Sequence, residues 1–290
     1  MPREKSNYPD RYTAHKHLRR HGSGTLIVVQ NRRDGEWYVE KKYDRNIEQA
    51  LQEVRRLQHL RHAYIHNVVE SWAENNHQWA SIWFEPIDQG TLSGLIKAHA
   101  VDGLQIFERY CWKVFYQIAA AMRYCHHSDG EFSDWHPIIH RNLTPQNILL
   151  TTSTYGAPTP DVRITGFECA MWVGYPDENQ VGLKQVNRDF APPEAPEYCK
   201  ASDVYQIGCV MLCMLNLMLK PEPLTRDGEK YGEELRAIVR ACLKRTPENR
   251  YTSDKLATLV QGGKIHANIP IRGRLLLIEG PLDVDVPHRG

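Results

Sequence analysis

The sequence lacks an excess of charge of either sign. It contains 36 lysine and arginine residues against 35 aspartate and glutamate residues in 290 positions, so its formal net charge is +1. A nucleic-acid-binding domain usually carries a clear basic surplus, because it must neutralise phosphates. The balance therefore argues against nucleic acid as a partner.

Long apolar runs and paired cysteine motifs are also missing. The longest apolar stretch, 210–215, ends at Asn216 and is far shorter than the roughly 20 residues that a membrane-spanning helix needs. The seven cysteines are odd in number and never stand in a C-x-x-C spacing, so no disulfide framework is expected. Segment 1–5 has no apolar signal region. These absences predict an intracellular protein, cytoplasmic or nuclear, without a membrane span.

The chain divides into a strand-rich part and a helical part. We predict a basic, solvated N-terminal arm over 1–17, strands with one helix over 18–86, and helices over 87–262. The tail, 263–290, either docks on the domain or binds a partner, and the sequence does not distinguish the two.

Local patterns place the main elements. Asp34-Gly35 between two apolar segments predicts a hairpin turn. Apolar residues at helical spacing predict a helix over 47–57. Further strands are predicted over 67–74 and 79–85, and deeply buried helices over 107–125 and 204–218.

Two short segments carry the strongest functional signal. Residues 140–147, His-Arg-Asn-Leu-Thr-Pro-Gln-Asn, resemble the catalytic loop H-R-D-L-x-x-x-N of eukaryotic protein kinases, and residues 166–168, Gly-Phe-Glu, resemble their metal-binding D-F-G. The proton-accepting aspartate is replaced by Asn142, and the magnesium-binding aspartate by Gly166. The resemblance implies an α+β, bilobal kinase fold, with a small antiparallel sheet and one helix in the N-lobe and a larger, mainly helical C-lobe. It also implies a pseudokinase.

The resemblance extends to the nucleotide-binding strands. Gly22 and Gly24 resemble the first two glycines of the glycine-rich loop G-x-G-x-x-G-x-V, with Ile27 in place of the third. Lys41 and Lys42 compete as the phosphate-pairing lysine. We choose Lys41 because strand alternation puts it on the same face as Val39, which offers adenine an apolar ceiling.

Further site residues follow from the same family pattern. Glu53, on the predicted helix, is the expected ion-pair partner of Lys41. Phe84 resembles the gatekeeper residue, and the backbone around Glu85 resembles the adenine-binding hinge. The apolar stack completed by adenine would consist of Val29, Val39 and Leu149.

The charged positions of the C-lobe are only partly kept. The resemblance assigns Arg141 to the catalytic loop and Asn147 to the second metal-ligand position, where alone it would hold metal weakly. Glu168 is a candidate surrogate metal ligand for Gly166, although side-chain alternation points it elsewhere. Asp203 is expected to cap a helix and anchor the catalytic loop.

We therefore predict a catalytically impaired kinase-like domain. It would act as a scaffold or allosteric regulator of a protein partner or client kinase, with ATP as a candidate ligand and Mg²⁺ weak or absent. The alternative is an active, atypical Ser/Thr kinase that uses Glu168 on the metal. The segment 125–130, C-H-H-S-D-G, resembles the NIMA-related branch.

A zinc site is a third hypothesis. It would use Cys125 with His126, His127, His136 and His140, of which the last two have a usable spacing. Surface loop histidines are the favoured explanation of this stretch.

Overall fold

Short segments rich in β-branched and aromatic residues form a five-stranded antiparallel sheet at the N-terminal end. The computed structural model describes residues 11–21, 24–44, 47–73, 79–128, 135–153, 156–174, 186–266 and 275–276. The five strands are Tyr12–His21 (β1), Gly24–Asn31 (β2), Trp37–Tyr43 (β3), Val68–Ala73 (β4) and Ala80–Phe84 (β5). Their order in the sheet is β1-β2-β3-β5-β4.

The register of the sheet decides which side chains face the helical part. Leu26 pairs with Lys41, and Val39 pairs with Phe84. Paired residues in neighbouring strands share a face, and successive residues alternate between faces. One face of the sheet therefore carries Leu26, Val39, Lys41 and Phe84 together.

The first strand corrects the predicted N-terminal arm. β1 begins at Tyr12, so the arm predicted over 1–17 and the N-lobe predicted from 18 are divided in the wrong place. The ring of Tyr12 stacks on Trp83 with centroids 4.9 Å apart. β1 is rich in basic residues and pairs only with β2, as a strand at the sheet edge does. A charged edge strand has the composition of a solvated arm, which explains the error.

The predicted hairpin and helix of the N-lobe are confirmed. Gly35 adopts φ +72° in the turn between β2 and β3, where a left-handed conformation favours glycine. Helix α1 spans Ile47–Gln58 and buries Ala50, Glu53 and Leu57. Its apolar side lies against the sheet, while the exposed side is polar.

Five helices form most of the C-terminal part. They are Leu92–Asp102 (α2), Glu108–His127 (α3), Lys200–Asn216 (α4), Glu233–Cys242 (α5) and Ser253–His266 (α6). Both α3 and α4 are buried along most of their length, as predicted from their apolar composition. Two small antiparallel pairs join Ile138–Ile139 (β6) to Met171–Trp172 (β9), and Ile148–Thr151 (β7) to Asp161–Ile164 (β8). The predicted α+β, bilobal fold is confirmed.

A buried ion pair ties the segment before α4 to the loop after α5. The guanidinium of Arg250 donates from Nη1 and Nη2 to the two carboxylate oxygens of Glu194, each over 2.7 Å. Bidentate pairs of this kind combine charge with fixed geometry. The Ser202 hydroxyl donates to the same carboxylate over 2.6 Å. The contact fixes the position from which α4 begins.

Part of the C-terminal tail docks on the helical lobe. Leu275 packs against the core. The backbone N–H of Leu276 donates to Nε2 of the buried His99 over 3.1 Å. At these two residues the tail belongs to the domain. No helix within the described ranges is both long enough and apolar enough to cross a bilayer.

Candidate functional site

A buried aspartate organises the catalytic-loop segment. Asp203 is fully buried inside α4. Its Oδ1 accepts the N–H of Arg141 over 2.9 Å, and its Oδ2 accepts the N–H of His140 over 2.8 Å. Nε2–H of His126 donates to Oδ2 over 2.8 Å. The anchor predicted from sequence is confirmed, but the cap is wrong, because α4 begins at Lys200 and Cys199 holds the N-cap position.

The catalytic loop has a strained turn at its arginine. Arg141 has φ +66°, a left-handed conformation that costs free energy for a residue with a side chain. Its Nε donates to the carbonyl oxygen of Cys169, and its guanidinium lies 5.9 Å from the ring centroid of Tyr198. Burial lowers the pKa of Arg141 to about 10, so it remains a cation at neutral pH. The cation therefore ties the catalytic loop to the segment after Glu168.

The next residue, Asn142, serves as a hydrogen-bond acceptor. Its Oδ1 accepts the backbone N–H of Asn187 over 3.0 Å. Asn142 is 7% exposed, so this contact is nearly buried. An amide oxygen accepts a hydrogen bond but does not take up a proton at neutral pH. Asn142, at the position of the catalytic base, therefore fixes Asn187 in the segment that leads to α4.

Asn147 occupies the space beside the glycine of the metal loop. Gly166 has φ +86°, and a Cβ at this position would lie 2.8 Å from Cγ and Nδ2 of Asn147. Nδ2 of Asn147 donates to the carbonyl oxygen of Asn142 over 2.8 Å. The packing is therefore built around a glycine, and no side-chain oxygen is offered at 166.

Glu168 points inward and contacts the predicted phosphate-pairing lysine. Its Oε2 lies 3.0 Å from Nζ of Lys41, and the Glu168 side chain is 2% exposed. The expectation that alternation turns it away is wrong, because residues 167–169 form a turn of 3₁₀ helix instead of a strand. The neighbouring Phe167 is buried against His140, with ring centroids 4.6 Å apart.

The ion pair predicted between Lys41 and Glu53 is confirmed. Nζ of Lys41 lies 3.2 Å from Oε1 and 3.0 Å from Oε2 of Glu53. The hydroxyl of Tyr43 also donates to Glu53. We call Lys41, Tyr43, Glu53 and Glu168 the Lys41 cluster. Its one cation lies between two carboxyl groups.

Burial and charge compete inside the Lys41 cluster. Burial alone would lower the pKa of Lys41, but the carboxylates of Glu168 and Glu53 raise that pKa well above its ordinary value. Burial raises the pKa of Glu53, although the ammonium of Lys41 opposes this. The lysine is therefore held as a cation.

A cavity of about 380 Å³ lies between the sheet and the helical part. The predicted residues Val39, Lys41, Phe84 and Leu149 all line it. Gly24 approaches Lys41 so closely that a Cβ would lie 2.9 Å from Cγ of the lysine. Gly22 lies outside the described residues.

The prediction for Val29 is wrong. Val29 lies on the opposite face of the sheet and packs with Tyr12, Ile27 and Trp83. β1 ends at His21 and β2 begins at Gly24, and Leu18 and Leu26 line the cavity instead. This register puts Gly24 at the end of the hairpin, and Ile27 does not stand in for a third loop glycine. If Gly24 is taken as the third glycine of the family pattern, counting forward two positions identifies Leu26.

A histidine that the sequence analysis did not select lies at the predicted hinge. Nε2–H of His66 donates to the carbonyl oxygen of Glu85 over 2.9 Å, while the Glu85 side chain is exposed. The His66 ring stacks on Phe84 with centroids 4.8 Å apart and lines the cavity. Burial lowers the pKa of His66 from its ordinary 6.5 to about 4. The ring is therefore neutral at physiological pH, with Nδ1 as its acceptor.

Acidification is expected to destabilise the protein through His66. Because its folded-state pKa is lowered to about 4 from 6.5, the unfolded chain binds the proton first, and stability falls as the pH drops below 6.5. Between about pH 7 and about pH 5 this linkage costs about 2 kcal/mol. Between these two pH values the free energy of unfolding of His66→Leu, measured with urea, should fall by about 2 kcal/mol less than that of the wild type. His15→Leu is the control at an exposed histidine, and an unchanged slope in His66→Leu would contradict the expectation.

The histidines of the zinc hypothesis have other partners. His126 is fully buried, which corrects its interpretation as a surface residue, whereas His127 and His136 are exposed as expected. His140, which the family pattern assigns to the catalytic loop, is also fully buried. Nδ1 of His126 contacts the Ser253 hydroxyl over 2.9 Å, and Nε2–H of His140 donates to the carbonyl oxygen of Thr165 over 3.0 Å. Within the described ranges no three histidine, cysteine, aspartate or glutamate side chains converge as a metal site.

Known proteins resemble this chain over most of its length. It is 27% identical to cyclin-dependent kinase-like 2 of Oryctolagus cuniculus over 227 residues, which cover 76% of this chain and 34% of that protein. It is 24% identical to mitogen-activated protein kinase kinase 2 of Arabidopsis thaliana over 266 residues, 81% of this chain and 67% of the relative. A probable casein kinase II subunit alpha homolog of Encephalitozoon cuniculi is 27% identical over 223 residues, 73% of this chain and 60% of the relative.

The chain thus spans about a third of the length of the rabbit relative. The family model described as "Protein kinase domain" matches residues 12–260, which begins where β1 begins and ends inside α6. On this match, the chain belongs to the protein kinase family.

Proposed function

We propose that this kinase domain does not transfer phosphate and acts as a pseudokinase. The observation that carries the proposal is the metal loop, where Gly166 offers no oxygen and Asn147 fills the adjacent space. In phosphoryl transfer the metal ions bridge phosphate oxygens and neutralise charge in the transition state. Asn147 alone would hold Mg²⁺ weakly. ATP, if bound, would therefore bind without its usual metal.

The missing base adds to this loss. Asn142 accepts a backbone N–H from Asn187, and it takes no proton from a substrate hydroxyl. General-base assistance is typically worth about 10²–10⁴-fold in rate. The two losses act on different parts of the reaction, so both lower the rate.

The alternative, an active atypical Ser/Thr kinase, requires Glu168 as a metal ligand. Oε2 of Glu168 is already paired with Nζ of Lys41 at 3.0 Å. Turning the carboxylate towards a metal would break this buried ion pair. The geometry therefore favours the pseudokinase.

A scaffold or allosteric role towards a protein partner or client kinase suits this arrangement. Arg141 donates to Cys169, and Asn142 accepts from Asn187, so both ends of segment 169–187 are attached to the catalytic loop. Between Glu168 and Pro192 the only hydroxyl side chain is Tyr175, which lies outside the described residues. We infer a constitutively set surface that does not depend on Ser/Thr phosphorylation of this segment.

Two finer assignments remain proposals. The NIMA-related placement is based on segment 125–130 alone, and 129–130 lie outside the described residues. An intracellular location, cytoplasmic or nuclear, is based on the number and spacing of the cysteines.

A phosphate-transfer assay tests the proposed function. With ATP and either Mg²⁺ or Mn²⁺, the purified protein should show a rate at least about 10²–10⁴-fold below that of an active protein kinase assayed in parallel. Restoring both aspartates in Asn142→Asp/Gly166→Asp should not recover activity. A side chain at 166 meets Asn147 and, at φ +86°, adds strain of about 1–3 kcal/mol.

The same assay distinguishes the alternative. Metal-dependent turnover by the wild type that disappears in Glu168→Ala would overturn the pseudokinase and identify Glu168 as the metal ligand.

A further inference from the structure

The ammonium group of Lys41 is saturated by the chain's own carboxylates. It has three N–H donors. Three carboxylate oxygens lie within hydrogen-bond distance: Oε1 and Oε2 of Glu53 at 3.2 and 3.0 Å, and Oε2 of Glu168 at 3.0 Å. Lys41 is only 2% exposed. Its charge is directed at the interior of the protein more than at the cavity it lines.

This arrangement opposes a polyphosphate. To reach Lys41, a phosphate oxygen must displace the carboxylate of Glu168, since the donors of the ammonium are already used. The phosphate would also approach the carboxyl groups of Glu53 and Glu168 beside Lys41, and like charges at short range in a poorly solvated site repel strongly. Gly166 provides no carboxylate to bring in a metal that would neutralise the phosphates.

The remainder of the cavity is suited to a flat, uncharged ring. Apolar side chains line it on the sheet side and the helical side: Leu18, Leu26, Val39, Phe84, Ile87 and Leu149. Its volume, about 380 Å³, lies at the lower end of the range for small-molecule sites. Small, flat ligands fit such a slot between two apolar walls.

Ile87 and His66, which line the same cavity, also carry polar groups. The backbone N–H and C=O of Ile87 have no hydrogen-bond partner in the described part of the chain. His66 donates from Nε2 to Glu85 and keeps Nδ1 as an acceptor. A planar nitrogen heterocycle carries both donors and acceptors that can pair with such groups, and leaving buried polar groups unpaired costs free energy.

We propose that the cavity binds an uncharged planar nitrogen heterocycle of nucleoside size, and that Glu168, by holding Lys41, excludes the polyphosphate of a nucleotide. This inference builds on the proposed function and narrows its ligand. The domain would then bind a nucleoside-like compound in preference to ATP.

Adenosine and ATP are the probes for this proposal. Isothermal titration of the wild-type protein should give a Kd for adenosine at least about tenfold lower than for ATP, with or without Mg²⁺. In Glu168→Ala the Kd for ATP should fall at least about tenfold, while that for adenosine changes less than about twofold. Glu168→Gln keeps the size of the side chain and removes its charge, so its Kd for ATP should also fall.

Glu48→Ala is the matched control. It removes the same charge from an exposed position of α1 and should leave both affinities unchanged. The proposal is overturned if the wild type binds ATP as tightly as adenosine, if it binds neither, or if Glu168→Ala leaves their ratio unchanged. Tight ATP binding without turnover would overturn this inference alone, whereas turnover would overturn the proposed function.

Discussion

Asp203→Ala is expected to lower the free energy of unfolding by roughly 3–5 kcal/mol. The carboxylate accepts three hydrogen bonds, from the N–H groups of His140 and Arg141 and from Nε2–H of His126. All four residues are fully buried, so water does not replace the lost acceptor. Each buried donor left without a partner costs about 1–3 kcal/mol.

Urea unfolding followed by far-UV circular dichroism measures this loss. Asp189→Ala is the control, because its carboxylate is 48% exposed and should change stability by less than about 0.5 kcal/mol. Asp203→Asn should fall between the two variants, since its amide keeps one oxygen acceptor. A loss below about 1 kcal/mol in Asp203→Ala would contradict the role of Asp203 as anchor of the catalytic loop.

Family spacing predicted the parts of the site that depend on local order along the chain. Lys41, Phe84 and Leu149 line the cavity as expected, since strand alternation and the hairpin at Gly35 determine which face each residue takes. Val29 was misplaced because the glycine-rich loop was assumed to run from Gly22 to Ile27, whereas β2 already begins at Gly24. A shift of the assumed loop moved the predicted residue to the other face of the sheet.

Long-range contacts explain what the sequence did not predict. Glu168 and Lys41 are separated by 127 positions. Their contact depends on a 3₁₀ turn that the hydrophobic pattern of the sequence did not predict. His66 lies next to the apolar Ile65, directly before the strand predicted over 67–74. Its hydrogen bond is made with the backbone of Glu85. Backbone acceptors leave no trace in a sequence, so such a partner is seen only in three dimensions.

The Lys41 cluster differs in kind from a simple ion pair. A single lysine–glutamate pair is neutral, whereas here one lysine serves Glu53 and Glu168, both nearly inaccessible to solvent. Removing the lysine would therefore take from both buried carboxyl groups the ammonium that pairs with them. Removing one partner of a buried ion pair lowers the free energy of unfolding more than replacing both partners by apolar residues does.

Lys41→Met is accordingly expected to lower the free energy of unfolding by roughly 3–5 kcal/mol near neutral pH. The double variant Lys41→Met/Glu168→Gln should recover at least about 1 kcal/mol, because it removes one of the two buried carboxylates that lose the ammonium as partner. Glu168→Gln alone is the other single variant that the double-mutant cycle needs. Lys42→Met is the control, since Lys42 is exposed on the other face of β3 and should change stability by less than about 0.5 kcal/mol.

The pH dependence of Lys41→Met provides a second readout of the same contact. Burial already raises the pKa of Glu53 in the wild type, and loss of the ammonium removes the main opposing influence. A carboxyl group whose pKa is raised on folding stabilises the native state at low pH, and this contribution disappears as the pH rises through the folded-state value. The deficit of Lys41→Met should therefore shrink on acidification relative to the wild type. Equal deficits at acidic and neutral pH, together with no recovery in the double variant, would show that Lys41 does not balance two buried carboxylates.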